Sequence, residues 1–172
     1  MTPLVYFDPE EISDWFWDIV ARADRSPDTL KHILSELPDN QVRRFALEFL
    51  DASGRFNQES FTRYLGPSYS EDGVADMTEW VVSQGKDFFL TVWNHPETVE
   101  VYDVGKPEHR VSLVFVAEEI LEERLGDWPD IMEDYAAYAR SGIARVSDYV
   151  ELQQKPESDH ERSPSDDWGE PE

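Results

Sequence analysis

Between Ile12 and Leu50 the large apolar side chains return every three or four residues in three successive runs, with a proline near a boundary of each. Ile12, Trp15, Phe16, Ile19 and Val20 form the first run, Leu30, Ile33, Leu34 and Leu37 the second, and Val42, Phe45, Ala46, Phe49 and Leu50 the third. A strand cannot use this spacing, because its faces alternate every second residue, whereas a helix turning every 3.6 residues gathers each run onto one side. Three amphipathic helices in sequence must bury their stripes against one another, so the pattern predicts an all-α domain.

Local signals set the boundaries. Asp8-Pro9-Glu10-Glu11 offers an N-cap, a proline at the first helical position and a capping-box glutamate, which predicts a helix starting there. Ser26-Pro27 starts the second helix and Pro38 ends it; the third runs from Asp39 to Gly54. Asn57 is placed to cap a short helix carrying Phe61, Tyr64 and Leu65. From Ser70 a further helix passes through Val74, Met77, Trp80 and Val81 toward Gly85, and Phe88, Phe89, Val92 and Trp93 carry the same spacing on to Asn94-His95-Pro96. Val99 to Val104 alternates like a strand, yet a lone strand has nothing to satisfy its backbone groups, so an extended loop is expected. Leu113, Val116, Ala117, Ile120 and Leu121 mark another helix to Leu125, with Glu118, Glu119, Glu122 and Glu123 read as its solvated face; Ile131, Tyr135 and Tyr138 mark a last one that Gly142 ends. The expected fold is one compact multi-helix domain of about seven helices over residues 1–150.

Residues 151–172 hold eight acidic and two basic side chains, three prolines, and only Leu152 and Trp168 as large hydrophobes, so a disordered acidic tail is expected there. The whole chain carries 38 acidic against 15 basic residues, a formal charge of -23, and without the tail the body still holds -17. Such a field repels nucleic-acid phosphates and anionic lipid. It favours a protein partner, a basic one above all, or serves solubility alone. No run of about 18 apolar residues is long enough to span a bilayer, and the N-terminus lacks the basic start of a signal peptide. With no cysteine at all, disulfides, thiolate metal sites and thiol nucleophiles are excluded, and a cytoplasmic location is expected.

Catalytic signatures are missing from the sequence. His32, His95, His109 and His160 have no metal-ligand spacing, no two helices carry the Glu-x-x-His motifs of a di-iron bundle, and no phosphate loop, dinucleotide fingerprint or Gly-x-Ser-x-Gly elbow occurs. No metal and no cofactor are expected. Ser70-Glu71-Asp72-Gly73 lacks the alternating ligands of a calcium loop; Ser70 serves better as an N-cap, with Glu71 and Asp72 in a first turn whose dipole favours negative charge.

Three stretches together resemble the bacterial domain-of-unknown-function family 4240: Phe16-Trp17-Asp18-Ile19-Val20, then Ser70-Glu71-Asp72-Gly73 with Trp80-Val81-Val82-Ser83-Gln84-Gly85-Lys86-Asp87-Phe88-Phe89, and the helix from Val114 to Gly126. The resemblance spans about residues 10–130 and departs before Ser70, where Phe61 to Pro67 stand in place of an Ala-rich helix. It implies a helical bacterial protein and carries no assigned activity. The binding candidates are Trp17, which lies off the first apolar face, Ser70 and Asp72 in the most specific motif, and Trp80, followed by two apolar residues. Three functions stay open: a non-enzymatic protein-binding or regulatory module, an enzyme of unfamiliar type using Asp72, Trp80 and a carboxylate of the Glu118–Glu123 helix in one cleft, and an acidic mimic of nucleic acid.

Overall fold

The computed structural model describes residues 8–66, 69–109 and 112–154. Within them the chain forms nine α-helices: α1 (Asp14–Ala23), α2 (Pro27–Ser35), α3 (Asp39–Gly54), α4 (Glu59–Thr62), α5 (Glu71–Ser83), α6 (Lys86–Asn94), α7 (Val114–Leu125), α8 (Ile131–Ser141) and α9 (Val146–Gln154). Short 3-10 turns occupy Pro9–Glu11, Pro96–Val101 and Pro107–His109, and the described residues contain no strand. None of the described helices is long and apolar enough to cross a membrane.

Helix α3 is the axis, packing against α5, α7, α8 and α9, while α2 bridges α1 and α7. The reason lies in its sequence. Phe45 and Phe49 are wholly buried, and so are Val42, Ala46 and Ala52, so apolar groups cover more of its circumference than one stripe would. Rings then carry the core outward: Phe45 meets Phe16 at 5.3 Å, Phe16 meets Trp17 at 5.0 Å, Trp17 meets Phe89 at 5.1 Å, and Phe89 meets Phe56 at 4.9 Å. This chain of tilted and edge-on contacts links α3 through α1 to α6. At the far side Arg124 donates to the carbonyls of Ser35 (2.7 Å) and Leu37 (2.8 Å) and to the Asp39 carboxylate (2.8 Å), tying the end of α7 to the α2–α3 turn.

Several sequence expectations need correction. Asp8 does cap, accepting from the Glu10 N–H at 2.9 Å, but what it caps is a 3-10 turn; α1 itself starts at Asp14, and Ser13 accepts from the Phe16 N–H at 3.2 Å. The expected seven helices become nine because Gly85, at φ +97°, breaks the long run after Ser70 into α5 and α6, and because Val146–Gln154 forms α9. That last helix carries order four residues past the expected boundary at 150; residues 155–172 of the expected tail lie outside the described residues. The segment 99–104 is not extended throughout. Pro96 starts a 3-10 turn through Val101 whose Val99 is buried, so the backbone finds its partners locally. Ser70 caps α5 as expected, accepting from the Gly73 N–H at 3.2 Å.

Glu118 is the sharpest difference. It sits one turn after Val114 and one turn before Leu121, on the covered side of α7, and is 8% exposed rather than solvated.

Candidate functional site

The four sequence candidates do not converge. Trp17 is 5% exposed, held between Phe16 and Phe89, because α6 lies over the side of α1 that the first apolar stripe leaves out. Trp80 is also 5% exposed and packs against Phe88 at 5.2 Å, Tyr102 at 5.3 Å and the His109 ring at 4.7 Å. Both tryptophans therefore contribute to the core; among the described residues the strongly exposed aromatics are Phe115 and Trp128, at 54% and 55%. Ser70 spends its hydroxyl on capping and Asp72 is exposed in the first turn of α5. At about 1.5 Å per residue, these two lie a whole helix length from Ser83.

Of the four, Trp17 alone borders the roomiest of four grooves among the described residues. Two of the stretches that resemble the family form its opposite walls: Asp14, Trp17, Asp18 and Ala21 of α1 with Asp24 and Arg25 beyond its end, and Ser83, Gln84, Gly85, Lys86 and Asp87 at the corner where α5 turns into α6. The space between them is about 450 Å³, within the range of small-ligand sites. Two helices, α1 and α5, end at this groove and one, α6, begins there. Their terminal carbonyls therefore bring partial negative charge to it and the first N–H groups of α6 bring partial positive charge.

Charge on the walls is uneven. Asp14, Asp18, Asp24 and Asp87 face Arg25 and Lys86. Lys86 is already engaged, at 3.0 Å from Asp14 and 3.4 Å from Glu10, and the hydrogen bond to Asp14 holds its amine above the usual lysine range. Asp18 makes an exposed 3.5 Å pair with Arg22. Asp24 and Asp87 have no cation opposite them among the described residues. The backbone at the rim is unusual as well: Asp24 and Arg25 both take positive φ, 45° and 61°. Asp tolerates that region; for Arg it is uncommon.

The buried carboxylates form two other clusters. Under the loop from Glu11 to Ser13, Glu48 accepts from the Ser13 hydroxyl at 2.6 Å and from Arg44 at 2.7 Å, and the Arg44 guanidinium lies 4.3 Å over the Trp15 ring. One turn on, Asp51 pairs with Arg55 at 3.1 Å and meets the Tyr135 hydroxyl at 3.5 Å, while Arg43 pairs with Asp134. Burial pushes Asp51 above the usual carboxylate range, with Arg55 opposing, and pushes the Tyr135 phenol up to about 12. The cavity over Glu48 and Asp51 is about 10 Å³, room for about one water. These ionic contacts hold α8 and the first turn of α1 on α3.

The second cluster lies between α5 and α7. Burial, and then the charge of Glu79, raise Glu118; burial raises Glu79, with the Ser112 hydroxyl beside it pulling the other way. No hydrogen-bond donor reaches Glu118 among the described residues. Among the described residues, Asp72, Trp80 and Glu118 line none of these four grooves. Among the described residues no group of three or more acidic or histidine side chains is placed to hold a metal ion.

Sequence reasoning missed Asp24, Arg25 and the Ser83–Asp87 corner as site residues. The usable signal was Gly85, a helix breaker inside an otherwise continuous apolar pattern. Glu48 and Asp51 were also missed, although each has an arginine four residues away, Arg44 on α3 and Arg55 just past its end.

A family model described as "Protein of unknown function (DUF4240)" matches residues 12–123, which takes in both walls of the groove. Comparison with curated proteins and with solved structures gives no match.

Proposed function

The chain belongs to the DUF4240 family of proteins of unknown function, and from that premise we propose that its folded body is a binding module for a basic segment of another protein, seated in the groove between α1 and the α5–α6 corner. The observation that carries this reading is the lining. Four aspartates and two helix carboxyl ends are set against one lysine already paired and one arginine. A concave, negatively lined site focuses the field of a chain with net charge -23 and raises the local concentration of cationic groups. Asp24 and Asp87, without cations of their own, are the two groups a lysine or arginine of the partner would meet.

The test uses a labelled hexapeptide rich in lysine and arginine, with its dissociation constant measured by fluorescence anisotropy at low and high sodium chloride. The Debye length shrinks from about 10 Å at 0.1 M salt to about 3 Å at 1 M, so affinity should fall steadily across that range. Asp24→Asn with Asp87→Asn should weaken binding several-fold, while Glu119→Gln with Glu122→Gln, an equal change of net charge on exposed parts of α7, should not. Equal losses in the two double variants would show attraction by the whole surface and no specific seat. A flat salt response would remove electrostatic recognition altogether.

A further inference from the structure

We infer that Lys86 stands in for the ligand: it occupies a cation seat where two grooves meet, and a basic segment long enough to cross both grooves must displace it. This rests on the groove between α1 and the α5–α6 corner being the seat proposed above, and adds how that seat is extended and held closed.

A second groove, of about 320 Å³, lies between the stretch from Glu10 to Asp14 and the start of α9, where Arg145 and Ser147 line it. The linings of the two grooves have Asp14 and Lys86 in common. These two side chains are also joined to each other, the Lys86 ammonium donating to Asp14 at 3.0 Å and lying 3.4 Å from Glu10. The pair therefore spans the junction, one end on α1 and the other on α6, and makes two grooves of what would otherwise be one trough. The Lys86 side chain is 30% exposed, so an incoming group can reach the pair from solvent. An exposed ion pair between flexible side chains is weak, which lets a ligand exchange it.

The charges decide what the trough takes. Along the second groove Glu10, Glu11 and Asp14 stand against Lys86 and Arg145, and Arg145 is turned to Asp148 at 2.9 Å. Acids thus outnumber bases in both grooves, and an anion is repelled along the whole length. Lys86 meets its two carboxylates as a ligand lysine would, and the hydrogen bond to Asp14 holds its amine above the usual lysine range, a sign that the junction favours a cation. While Lys86 sits there, a second cation finds those carboxylates already matched and meets a like charge. The length of the occupant follows from the helix beside it. Helix α1 has 10 residues and is about 15 Å long, so the first groove takes about five residues of extended chain and the second about three more. The fitting partner is an extended segment with cationic side chains toward both ends.

The experiment uses two fluorescein-labelled octapeptide amides of equal length, composition and charge. In one, Lys-Arg-Gly-Ser-Gly-Ser-Lys-Arg, the cations are split between the ends; in the other, Gly-Ser-Lys-Arg-Lys-Arg-Gly-Ser, they are clustered. Dissociation constants are measured by anisotropy at low sodium chloride. Lys86→Met keeps an unbranched side chain and removes the charge. It should bind the split peptide several-fold more tightly than the parent does, and the clustered peptide, which can settle on Asp24 and Asp87 short of the junction, less than about twofold more tightly. Lys86→Gln should repeat the result with a polar side chain, and melting temperatures close to the parent's will show that both variants fold. Arg140→Gln removes the same charge from an exposed part of α8 that lines neither groove, and should leave both affinities within about twofold of the parent's. A gain for the split peptide no larger than that for the clustered one, or a gain matched by Arg140→Gln, would overturn the role of Lys86 while leaving a basic-segment groove in place. Failure of either peptide to bind the parent or any variant would overturn the groove reading, and this inference with it.

Discussion

Glu118 offers a measurable consequence of burying an acid without a partner. It is 8% exposed on α7, no donor reaches it among the described residues, and burial together with the charge of Glu79 raises its pKa above the ordinary glutamate value. An acid whose folded pKa is raised binds its proton more readily in the native state, so it favours folding as pH falls through the folded value toward about 4.5 and disfavours it at neutral pH. Glu118→Gln keeps the shape and removes the charge. The Glu118 carboxylate oxygens are only partly enclosed, so solvent screening leaves a fraction of the about 1–3 kcal/mol that a wholly buried, unsatisfied polar group costs, and the variant should gain up to about 1 kcal/mol at pH 7. For a domain of this size that is a rise of about 2–4 °C in melting temperature. Lowering the net charge of so acidic a chain also stabilises it, which Glu122→Gln on the exposed side of the same helix controls for. Thermal unfolding followed by circular dichroism at pH 7 and pH 5 reads both effects. The Glu118 variant should exceed the Glu122 variant at pH 7, and the gap should narrow at pH 5 as the parent takes up its proton. A Glu118 variant no more stable than Glu122→Gln at pH 7, or a gap that widens on acidification, would refute the reasoning.

Other perturbations follow from the packing. Phe16→Ala and Phe45→Ala should each cost about 3–5 kcal/mol in chemical denaturation, and Trp17→Ala should cost a comparable amount, because its ring is held between Phe16 and Phe89; a loss at Trp17 below half that at Phe16 would place the indole outside the core. Arg124→Ala should lower the melting temperature by a few degrees and Arg124→Lys should recover little of it, since a single ammonium cannot reach the Ser35 and Leu37 carbonyls and the Asp39 carboxylate together; full rescue by lysine would show that charge alone matters. Truncation after Gln154 should leave the melting temperature within about 2 °C, because the removed stretch contains Trp168 as its one large hydrophobe, and a larger fall would mean that this segment contributes to the core.

The helical fold was legible because apolar spacing is a redundant signal: Ile12 to Leu50 state it three times, and any one stripe could be lost without changing the reading. Boundaries were less so. Asp8-Pro9-Glu10-Glu11 satisfies the chemistry of a helix start, and the chain does turn there, but Ser13 competes for the same role five residues later and its hydroxyl is also tied to Glu48, thirty-five residues on. No local rule sees that bond. The same limit explains α9. Val146 and Tyr149 carry too few apolar groups to announce a helix, and both are buried because α9 packs on α3. In each case tertiary contact decided among conformations that local propensity left nearly equal.

The site was harder to read for a different reason. Off-face tryptophans fit either a second core layer or a partner groove, and Trp17 and Trp80 are covered, because a domain with a central helix has more than one buried layer and α6 and the Tyr102–His109 segment supply the second. What distinguishes Trp17 from Trp80 is its neighbours. Around Trp80 lie rings; beside Trp17 lie Gly85, the start of α6 and the aspartates past α1, brought together from segments some sixty residues apart. The residues of the groove are individually ordinary surface residues, and only the break at Gly85 hints that the chain must turn there. The electrostatics of the groove arise from the juxtaposition of two helix ends and one helix start, a property of the packing that the order of residues along the chain does not display.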